Sequence, residues 1–369
     1  MRVLHVFKTY FPETQGGMEE VIRQICHATR AHQVESRILT LSDTVDPQQV
    51  QREEGLVIRC RRDLDLASCG FSAQAFGALR EQLAWADVVH YHHPWPFADL
   101  LHLFGRVRKP ALATYHADVV RQRRLMALYR PIMRRFYRRL DRLVTTSQAF
   151  ADSSPVLPAY RDKLKVIPLG LDEAFYPSAD PQLCESWRRE LGEDFFFFVG
   201  VLRYYKGLDV LLQAAAADIP VVIAGSGRAE PDLKRTAERL GCRNVRFVGQ
   251  ISDADKAALI QLSRAVVLPS VLRAEAFGVT LLEGAMYGKP LISTELGTGT
   301  SYVNQHGETG LVVPAGDAAA LRTAMTTLRG DDALSRRYGA AARARFERLF
   351  TADHMARDYA ALYRDLAAG

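Results

Sequence analysis

Two acidic side chains at a fixed spacing are the feature of this 369-residue sequence with the clearest chemical use. Glu275 and Glu283 stand eight positions apart, which leaves them about 80° out of alignment on a helix of 3.6 residues per turn. If a helix begins near Gly278, Glu275 lies on the loop before it and Glu283 lies in its second turn. Each carboxylate then accepts hydrogen bonds from adjacent hydroxyls of a sugar or a ribose.

The first N–H groups of that helix lack partners and suit a phosphate; they belong to Phe277, Gly278, Val279 and Thr280. The alternative is one capping acid and one solvated helix acid.

Two further loops offer groups that bind anions. The stretch 195–207 ends an apolar run and then supplies Arg203 and Lys206, and two cations at the end of a strand suit a diphosphate. Alternatively, these are solvated charges on a surface turn. Gly225 and Gly227 stand between a predicted strand and a predicted helix, where free backbone N–H groups favour an anion. A Gly-x-Gly turn is as often plain loop geometry.

Four histidines gather near the ends of two predicted strands. His116 stands two positions before Asp118, and His90, His92 and His93 close the preceding strand. Four imidazoles can in principle hold zinc. His92 and His93 are adjacent on an extended segment, however, so their side chains point to opposite faces. A packed or ligand-lining role is therefore favoured, and no metal site is predicted.

The positive charge of the chain is concentrated in one segment. The net charge is +6, whereas the segment 121–142 holds nine arginines and one acid and sums to +8, so the remainder sums to −2. Its apolar residues recur at steps of three and four, at positions 125, 128, 129, 132, 133, 136, 137 and 140. This spacing predicts an amphipathic helix, or two helices divided at Pro131. The opposite face carries Arg134, Arg135, Arg138, Arg139 and Arg142.

This arginine face allows three interpretations. Basic residues near an anionic membrane contribute about 1 kcal/mol each, so the face is predicted to rest on anionic headgroups or to meet a lipid diphosphate. Alternatively, the apolar stripe packs on a core and the arginines are only solvated. A nucleic acid is the third candidate partner, but no aromatic-interleaved platform or recognition motif accompanies the patch, so none is expected.

Short apolar runs alternate with helix-length amphipathic stretches in two series. The runs are 3–7, 35–41, 56–60, 87–91, 111–115, 143–146 and 164–168, followed by 195–201, 219–225, 245–249, 264–269, 289–294 and 310–314. Apolar runs separated by helices are typical of parallel sheets and predict two doubly wound α/β domains. The proline-rich stretch 168–182 reads as a linker between them. Ligands bind beyond the carboxyl ends of such strands, so the chemistry is expected on loops that line a cleft between the domains.

The composition excludes several classes of protein. With 48% apolar and 24% charged residues, the chain is neither disordered nor collagen-like. Five cysteines without a C-x-x-C spacing predict neither a disulfide framework nor a thiolate metal site, and favour a reducing compartment. No run approaches the ~18 apolar residues of a membrane span, and His5 and Lys8 interrupt the apolar start too early for a signal peptide. A cytoplasmic location is expected.

Five motifs in this sequence resemble those of the retaining glycosyltransferases of family 4. EAFGVTLLE (275–283) resembles the family's E-x7-E motif, and the others are PETQGGMEE (12–20), YHAD (115–118), VIPLGLDEAFYP (166–177) and GETGLVVPAGD (307–317). The resemblance covers nearly the whole chain and implies the GT-B fold, with two Rossmann-like domains that face each other across a cleft. The acceptor-binding domain would be 1–170, with the terminal helix 351–369 returning to it, and the donor-binding domain would be 171–350.

The resemblance also implies roles for individual side chains. Glu275 would face the donor sugar beside the reacting carbon, and Glu283 would hold the ribose of the nucleotide. His116 would lie beneath the sugar, and Lys206 would grip the diphosphate. The implied catalytic residues are therefore Glu275, His116 and Lys206.

Two glycines and one arginine complete the residues implied by the resemblance. Gly16 and Gly17 would let the first loop approach the phosphates or the acceptor closely, which a Cβ would hinder. Main-chain groups near 247–251 would meet the base. The family usually has an arginine directly after the glycine of G-R-L-x-x-x-K-G, where this chain has Val201. We expect Arg203, two residues later, to take its place.

Three segments narrow the resemblance to bacterial mannosyl- and rhamnosyltransferases of O-antigen and related polysaccharide assembly. They are KTYFP (8–12), VLRYYKG (201–207) and GTSYVNQHGETGL (299–311). Such enzymes use GDP-sugars, so the resemblance implies GDP-mannose or a GDP-deoxymannose as donor, a lipid-linked glycan as acceptor, no metal or other cofactor, and peripheral attachment to the inner face of the cytoplasmic membrane. A UDP-sugar enzyme of the same fold and a non-catalytic nucleotide-sugar-binding protein are the alternatives.

Overall fold

The chain folds into two α/β units, each built on a mainly parallel sheet. The structure, a computed structural model, describes residues 1–14, 16–66, 69–118, 123–216 and 218–369. One unit comprises Met1–Gly170 together with Ala352–Gly369, and the other comprises Leu171–Thr351. The α/β class and the two doubly wound parallel sheets predicted from the alternating runs are confirmed.

The first unit has an eight-stranded sheet and a separate hairpin. Its strands are β1 (Arg2–Val6), β2 (Glu35–Ser42), β3 (Gln49–Gln51), β4 (Leu56–Arg61), β5 (Leu64–Leu66), β6 (Cys69–Phe71), β7 (Val88–His93), β8 (Ala111–Tyr115), β9 (Arg142–Thr145) and β10 (Leu164–Val166). The sheet order is β10-β9-β8-β7-β1-β2-β4-β3, parallel throughout except for β3, while β5 and β6 pair with each other. The connecting helices are α1 (Gly17–Thr29), α2 (Gln74–Trp85), α3 (Pro96–Phe104), α4 (Arg123–Arg139) and α5 (Gln148–Ser153).

The second unit has a six-stranded, fully parallel sheet. Its strands are β11 (Phe196–Val199), β12 (Val221–Ala224), β13 (Val245–Gly249), β14 (Ala265–Leu268), β15 (Leu291–Glu295) and β16 (Gly310–Pro314), in the order β13-β12-β11-β14-β15-β16. Its helices are α6 (Pro181–Leu191), α7 (Leu208–Ala215), α8 (Glu230–Arg239), α9 (Asp253–Leu262), α10 (Val279–Met286), α11 (Thr300–Val303), α12 (Ala318–Gly330) and α13 (Asp332–Leu349).

The last helix, α14 (Ala352–Ala368), follows the second unit along the chain but belongs to the first. It packs against α1 and β7. The apolar residues that the sequence places on one side of it are all buried: Met355, Tyr359, Leu362, Tyr363 and Leu366. The terminal helix therefore completes the core of the first unit.

Helix α4 is a single helix that contains Pro131, so of the two predicted alternatives the structure has the one continuous helix. Pro131 is exposed, and the buried side consists of Met133, Phe136, Tyr137 and, just beyond the helix, Leu140. Leu128 was expected in the apolar stripe but is 80% exposed. It stands seven positions before Arg135, which is two turns of helix, and therefore shares the outer face with the arginines. Arg121 lies outside the described residues, as do the side chains of residues 123–126.

None of the helices in the described part of the chain is long and apolar enough to cross a membrane. All five cysteines are free thiols.

Candidate active site

Lys206 and Glu275 form a buried ion pair in the second unit. Lys206 closes a short 3₁₀ helix after β11, and Glu275 lies on the loop between β14 and α10, where it is 8% exposed. Lys206 Nζ donates to Glu275 Oε2 at 2.6 Å, and Ser270 Oγ donates to the same oxygen at 3.1 Å. The structure thus brings together two residues, 69 positions apart, for which the sequence predicts separate roles.

This arrangement favours the charged form of the lysine. Burial by itself disfavours an ammonium group, but the charge of Glu275 and its hydrogen bond outweigh that effect, so the pKa of Lys206 lies above its usual value. The charge of Arg203 opposes this rise, which places a second cation near Lys206. Arg203 is itself exposed, at the N-cap of the short helix. The loop after β11 therefore presents two cations, as a diphosphate requires.

The helix that carries Glu283 begins next to Gly278, the start that the sequence analysis assumed. Its N-cap is Gly278 at φ +88°, and Glu283 lies in its second turn. Among the described residues, no carbonyl or side chain accepts from the N–H groups of Phe277, Gly278, Val279 or Thr280. Four free donors at the start of a helix form a site for an anion such as phosphate.

The side chains at this helix start have structural roles. The ring of Phe277 is buried and packs edge to face on Phe350, with 6.0 Å between ring centres. The hydroxyl of Thr280 donates to the carbonyl of Val199 at 3.0 Å, which fastens the helix to the end of β11. Only main-chain groups of Phe277 and Thr280 are therefore left for a ligand.

Glu283 is paired with a lysine that the sequence analysis missed. Lys256 on α9 donates from Nζ to Glu283 Oε1 at 2.8 Å and lies 2.9 Å from an oxygen of Asp253. Glu283 is 7% exposed, whereas the Asp253 side chain is largely exposed. Burial lowers the pKa of Lys256, but the two acids more than compensate and raise it above its usual value. Since Lys256 and Glu283 are 27 positions apart on different helices, no local signal connects them.

Gly225 and Gly227 allow the loop after β12 to pack closely against the loop after β11. The backbone N–H of Gly225 is not free to bind a ligand. The N–H of Gly225 donates to the carbonyl of Gly249 at 2.6 Å, so the prediction that it is available to an anion is wrong. A Cβ on Gly225 would lie 2.0 Å from the carbonyl oxygen of Gly200, and one on Gly227 would lie 2.3 Å from that of Leu202. The glycines are thus required by close backbone packing between the loops after β11 and β12.

We expect Gly225→Ala to lower the free energy of unfolding by about 2 kcal/mol or more, because φ is +119° and the new Cβ overlaps backbone. Gly249→Ala is the matched control. Gly249 has φ +69°, but a Cβ added there would meet no atom within 4 Å, so only the conformational cost of about 1 kcal/mol applies. Urea denaturation of both variants measures the difference. Equal losses would mean that the contact with Gly200 is not the constraint.

His116 lies at the end of a row of buried imidazoles in the first unit. It is 6% exposed, and its Nε2 lies 3.0 Å from Nδ1 of His92. Nε2 of His92 in turn lies 3.1 Å from Nδ1 of His5. Burial lowers the pKa of His116 to about 4 and that of His5 to about 3, so these rings are neutral near pH 7. His5 was not predicted as part of this group, because its only signal in the sequence is a histidine inside an apolar strand.

Nitrogen atoms of His5, His90 and His92 all lie within 4.8 Å of one another, as ligands of one metal ion would. His90 instead contacts two hydroxyl groups, with Nδ1 at 2.8 Å from Tyr363 and Nε2 at 2.7 Å from Thr114. Each nitrogen of His90 therefore has a hydroxyl partner. We interpret His5, His90 and His92 as a hydrogen-bonded cluster of side chains.

His93 points away from this cluster, as the alternation of strand side chains predicts. It stacks on Tyr115 with 5.7 Å between ring centres, and its Nδ1 lies 2.8 Å from the Tyr137 hydroxyl. Asp118 accepts from Tyr115 at 2.9 Å and from Ser154 at 2.8 Å.

The first glycine loop contains an acid as well as its two glycines. Gly16 is the N-cap of α1, and Glu19 lies in the first turn. A Cβ on Gly16 would lie 2.6 Å from Glu19 Oε2, whereas one on Gly17 would meet nothing within 4 Å. Glu19 is 8% exposed and accepts from the Thr9 hydroxyl at 2.8 Å. A carboxylate at this loop favours hydroxyl groups over phosphate as its ligands.

Both halves of the chain match known sequence families. Residues 15–175 match Glycosyltransferase Family 4, and residues 181–345 match Glycosyl transferases group 1. The D-rhamnosyltransferase WbpZ of Pseudomonas aeruginosa is 52% identical over 353 residues, which cover 95% of this chain and 93% of that protein. The O-antigen chain mannosyltransferase C of Escherichia coli is 44% identical over 367 residues, covering 99% of each chain.

A solved structure shares the fold. Sucrose-phosphate synthase of Thermosynechococcus elongatus superposes with a TM-score of 0.83 over 100% of this chain and 99% of its own, at 20% sequence identity. That likeness supports the fold alone, and the identities to full-length relatives establish the family. The chain is a glycosyltransferase with the GT-B fold and belongs to family 4.

Proposed function

We propose that this protein transfers mannose, or a deoxymannose such as rhamnose, from a GDP-sugar to a lipid-linked glycan in the assembly of O-antigen or related lipopolysaccharide. The observation that carries the proposal is the pair of lysine-bound glutamates on either side of the start of α10. The choice of sugar rests on the two relatives, one named a D-rhamnosyltransferase and the other an O-antigen chain mannosyltransferase.

The same geometry supports a mechanism with retention of anomeric configuration. Glu275 accepts from Lys206 and Glu283 accepts from Lys256, so neither acid is set up as the proton donor of a double displacement. In our proposal the acceptor hydroxyl attacks from the side that the diphosphate leaves, and the diphosphate takes the hydroxyl proton. The protein holds the reactants in place and stabilises the charge on the departing phosphate.

Three groups stabilise that leaving charge in this proposal. Lys206 supplies a buried ammonium, Arg203 supplies a second cation, and the N–H groups at the start of α10 supply donors. With these groups available we propose that no metal ion is needed. Glu283 holds the ribose hydroxyls, and Glu19 at the first loop binds hydroxyls of the acceptor.

Titration calorimetry with GDP and with UDP, followed by assays with GDP-mannose, GDP-rhamnose and a UDP-hexose, tests the proposal. We expect GDP to bind more tightly, GDP-sugars to be hydrolysed slowly without acceptor, and EDTA to have no effect. NMR of the transferred sugar should show the anomeric configuration of the donor. Binding of UDP alone would favour a UDP-sugar enzyme, and nucleotide binding without any turnover would favour a non-catalytic binding protein.

We further propose that the outer face of α4 attaches the enzyme to the inner face of the cytoplasmic membrane. Four of its exposed arginines are Arg134, Arg135, Arg138 and Arg139. Leu128 on the same face is 80% exposed, which adds an apolar side chain to the cationic surface. Arginines beside a projecting leucine suit a layer of anionic headgroups over acyl chains.

Changing these four arginines to glutamate should lower binding to vesicles that contain phosphatidylglycerol at least tenfold, because each basic residue contributes about 1 kcal/mol at such a surface. Binding of the unchanged protein should weaken as salt is added. The control reverses four exposed arginines of the second unit, Arg235, Arg239, Arg336 and Arg337. Vesicle sedimentation that shows equal losses for both variants would reject the α4 face as the contact surface.

A further inference from the structure

Three buried histidines in the first unit form a continuous hydrogen-bonded row. His116 Nε2 lies 3.0 Å from His92 Nδ1, and His92 Nε2 lies 3.1 Å from His5 Nδ1. The rings of His92 and His116 are stacked with 5.3 Å between centres, and those of His92 and His5 with 5.4 Å. The strand register explains the row, because His5 pairs with His90 in the sheet and His92 lies two residues further along the same face.

Neutral imidazoles allow only two arrangements of protons in this row. Each ring carries one N–H and one lone pair, so all hydrogen bonds must run in the same direction. If they run from His116 to His5, the last N–H is Nε2–H of His5. If they run from His5 to His116, Nε2 of His5 keeps only a lone pair, and His116 carries its proton on Nδ1.

The far end of the row distinguishes the two arrangements. His5 Nε2 is buried and has no hydrogen-bond partner in the part of the chain that the structure describes. A buried N–H without an acceptor is rarer in proteins than an unsatisfied acceptor. The second arrangement avoids such an N–H inside the core. It places the last N–H on His116, the one residue of the row with any exposed surface.

We infer that His5 and His92 are positioning residues that hold His116 in the tautomer with its proton on Nδ1, so that it presents an N–H donor to an oxygen of a sugar ligand. The inference rests on the proposed function for its ligand, but the tautomer itself does not depend on it. His90 is not part of the row, since its two nitrogens contact the hydroxyls of Tyr363 and Thr114.

NMR of the ¹⁵N-histidine-labelled full chain tests the inference without any sugar. Two-bond ¹H–¹⁵N correlations distinguish protonated from unprotonated ring nitrogens, and loss of signals in His116→Gln assigns that ring. We expect His116 to be protonated at Nδ1 and unprotonated at Nε2. Protonation at Nε2 would overturn the inference.

Variants of His5 connect the tautomer to activity. His5→Leu removes the donor to His92 and should give a mixture of His116 tautomers, with kcat on the GDP-sugar ~tenfold lower and the donor KM within about twofold. His5→Asn keeps an amide donor near the Nδ1 position and should restore both the single tautomer and kcat. An unchanged kcat in His5→Leu, or no rescue by His5→Asn, would contradict the positioning role.

The matched control is Tyr363→Phe. Tyr363 is as buried as His5, and the change removes the hydroxyl partner of His90 Nδ1 but leaves the three histidines of the row intact. It should lower stability without changing the tautomer of His116, and a tautomer change in this variant would refute the inference. The wild-type protein could show the expected tautomer, and His5→Leu could change it, without turnover of any GDP-sugar. In that case the proposed function fails, but the inference that His5 sets the tautomer of His116 stands.

Discussion

Lys206→Met is expected to lower the free energy of unfolding by about 3 to 5 kcal/mol and to reduce kcat/KM for the donor by ~10³-fold. Removal of one partner of a buried ion pair leaves the other charge uncompensated. Of the partners of Glu275 Oε2 in the described part of the chain, the Ser270 hydroxyl alone would remain. In the proposed mechanism the activity is lost because the Lys206 ammonium stabilises the charge on the departing diphosphate. Thermal or urea denaturation and steady-state kinetics measure the two effects.

Two further variants separate stability from activity at this pair. Glu275→Gln keeps the shape of the side chain but removes its charge, and we expect kcat to fall about 10²- to 10³-fold. The double variant Lys206→Met, Glu275→Gln buries no lone charge, so it should recover much of the stability lost in Lys206→Met while remaining inactive. If the double variant is as unstable as Lys206→Met, or if Glu275→Gln keeps full activity, the pair is not the centre of the donor site.

The parallel framework could be predicted from the sequence because most of its strands are buried on both faces. Such strands appear as solid apolar runs, and every run identified in the sequence corresponds to a strand of one of the two parallel sheets. The three short strands β3, β5 and β6 were not predicted. β3 and β5 have no buried residue, so neither carries the apolar signal on which the prediction depends.

Contacts between distant side chains could not be predicted in the same way. The assumed helix start near Gly278 places Glu275 before α10 and Glu283 in its second turn, as observed, because both residues belong to one short segment. Their lysine partners are 69 and 27 positions away, and only the packing of the unit brings them together. Gly225 shows the same limit, since its N–H donates to Gly249, on a neighbouring strand.

Leu128 illustrates a limit of helical periodicity. Its spacing from Tyr129 and Ile132 is compatible with an apolar stripe, yet the buried stripe is narrower and leaves Leu128 outside. Periodicity gives the direction of a helix face but not its width, which depends on the elements packed against it. Here α3 packs on α4, and the hydroxyl of Tyr129 donates to the carbonyl of Pro96 at 3.1 Å.

Glu283→Gln is expected to raise the donor KM about 10- to 100-fold with little change in kcat. Hydrogen bonds from ribose hydroxyls to a charged carboxylate contribute about 1.5 to 3 kcal/mol each, and they are made equally in the ground state and the transition state. Calorimetry with GDP should show a similar loss of affinity. A large fall in kcat at unchanged KM would place Glu283 at the reacting carbon and exchange its role with that of Glu275.

In the proposed donor site, Lys256 positions the Glu283 carboxylate. It holds one carboxylate oxygen at 2.8 Å, and the other oxygen is the one proposed to accept from the ribose hydroxyls. Lys256→Met should therefore raise the donor KM as Glu283→Gln does, and the double variant should be no worse than either single one, since both act on one interaction. Asp253→Asn is the control: its carboxylate also contacts Lys256, but it is largely exposed, so its loss should change KM less than twofold. If the effects of Lys256→Met and Glu283→Gln on the donor KM were additive, the lysine would contact the nucleotide itself. The two side chains would then make independent contacts with the nucleotide, and Lys256 would not act by positioning the Glu283 carboxylate.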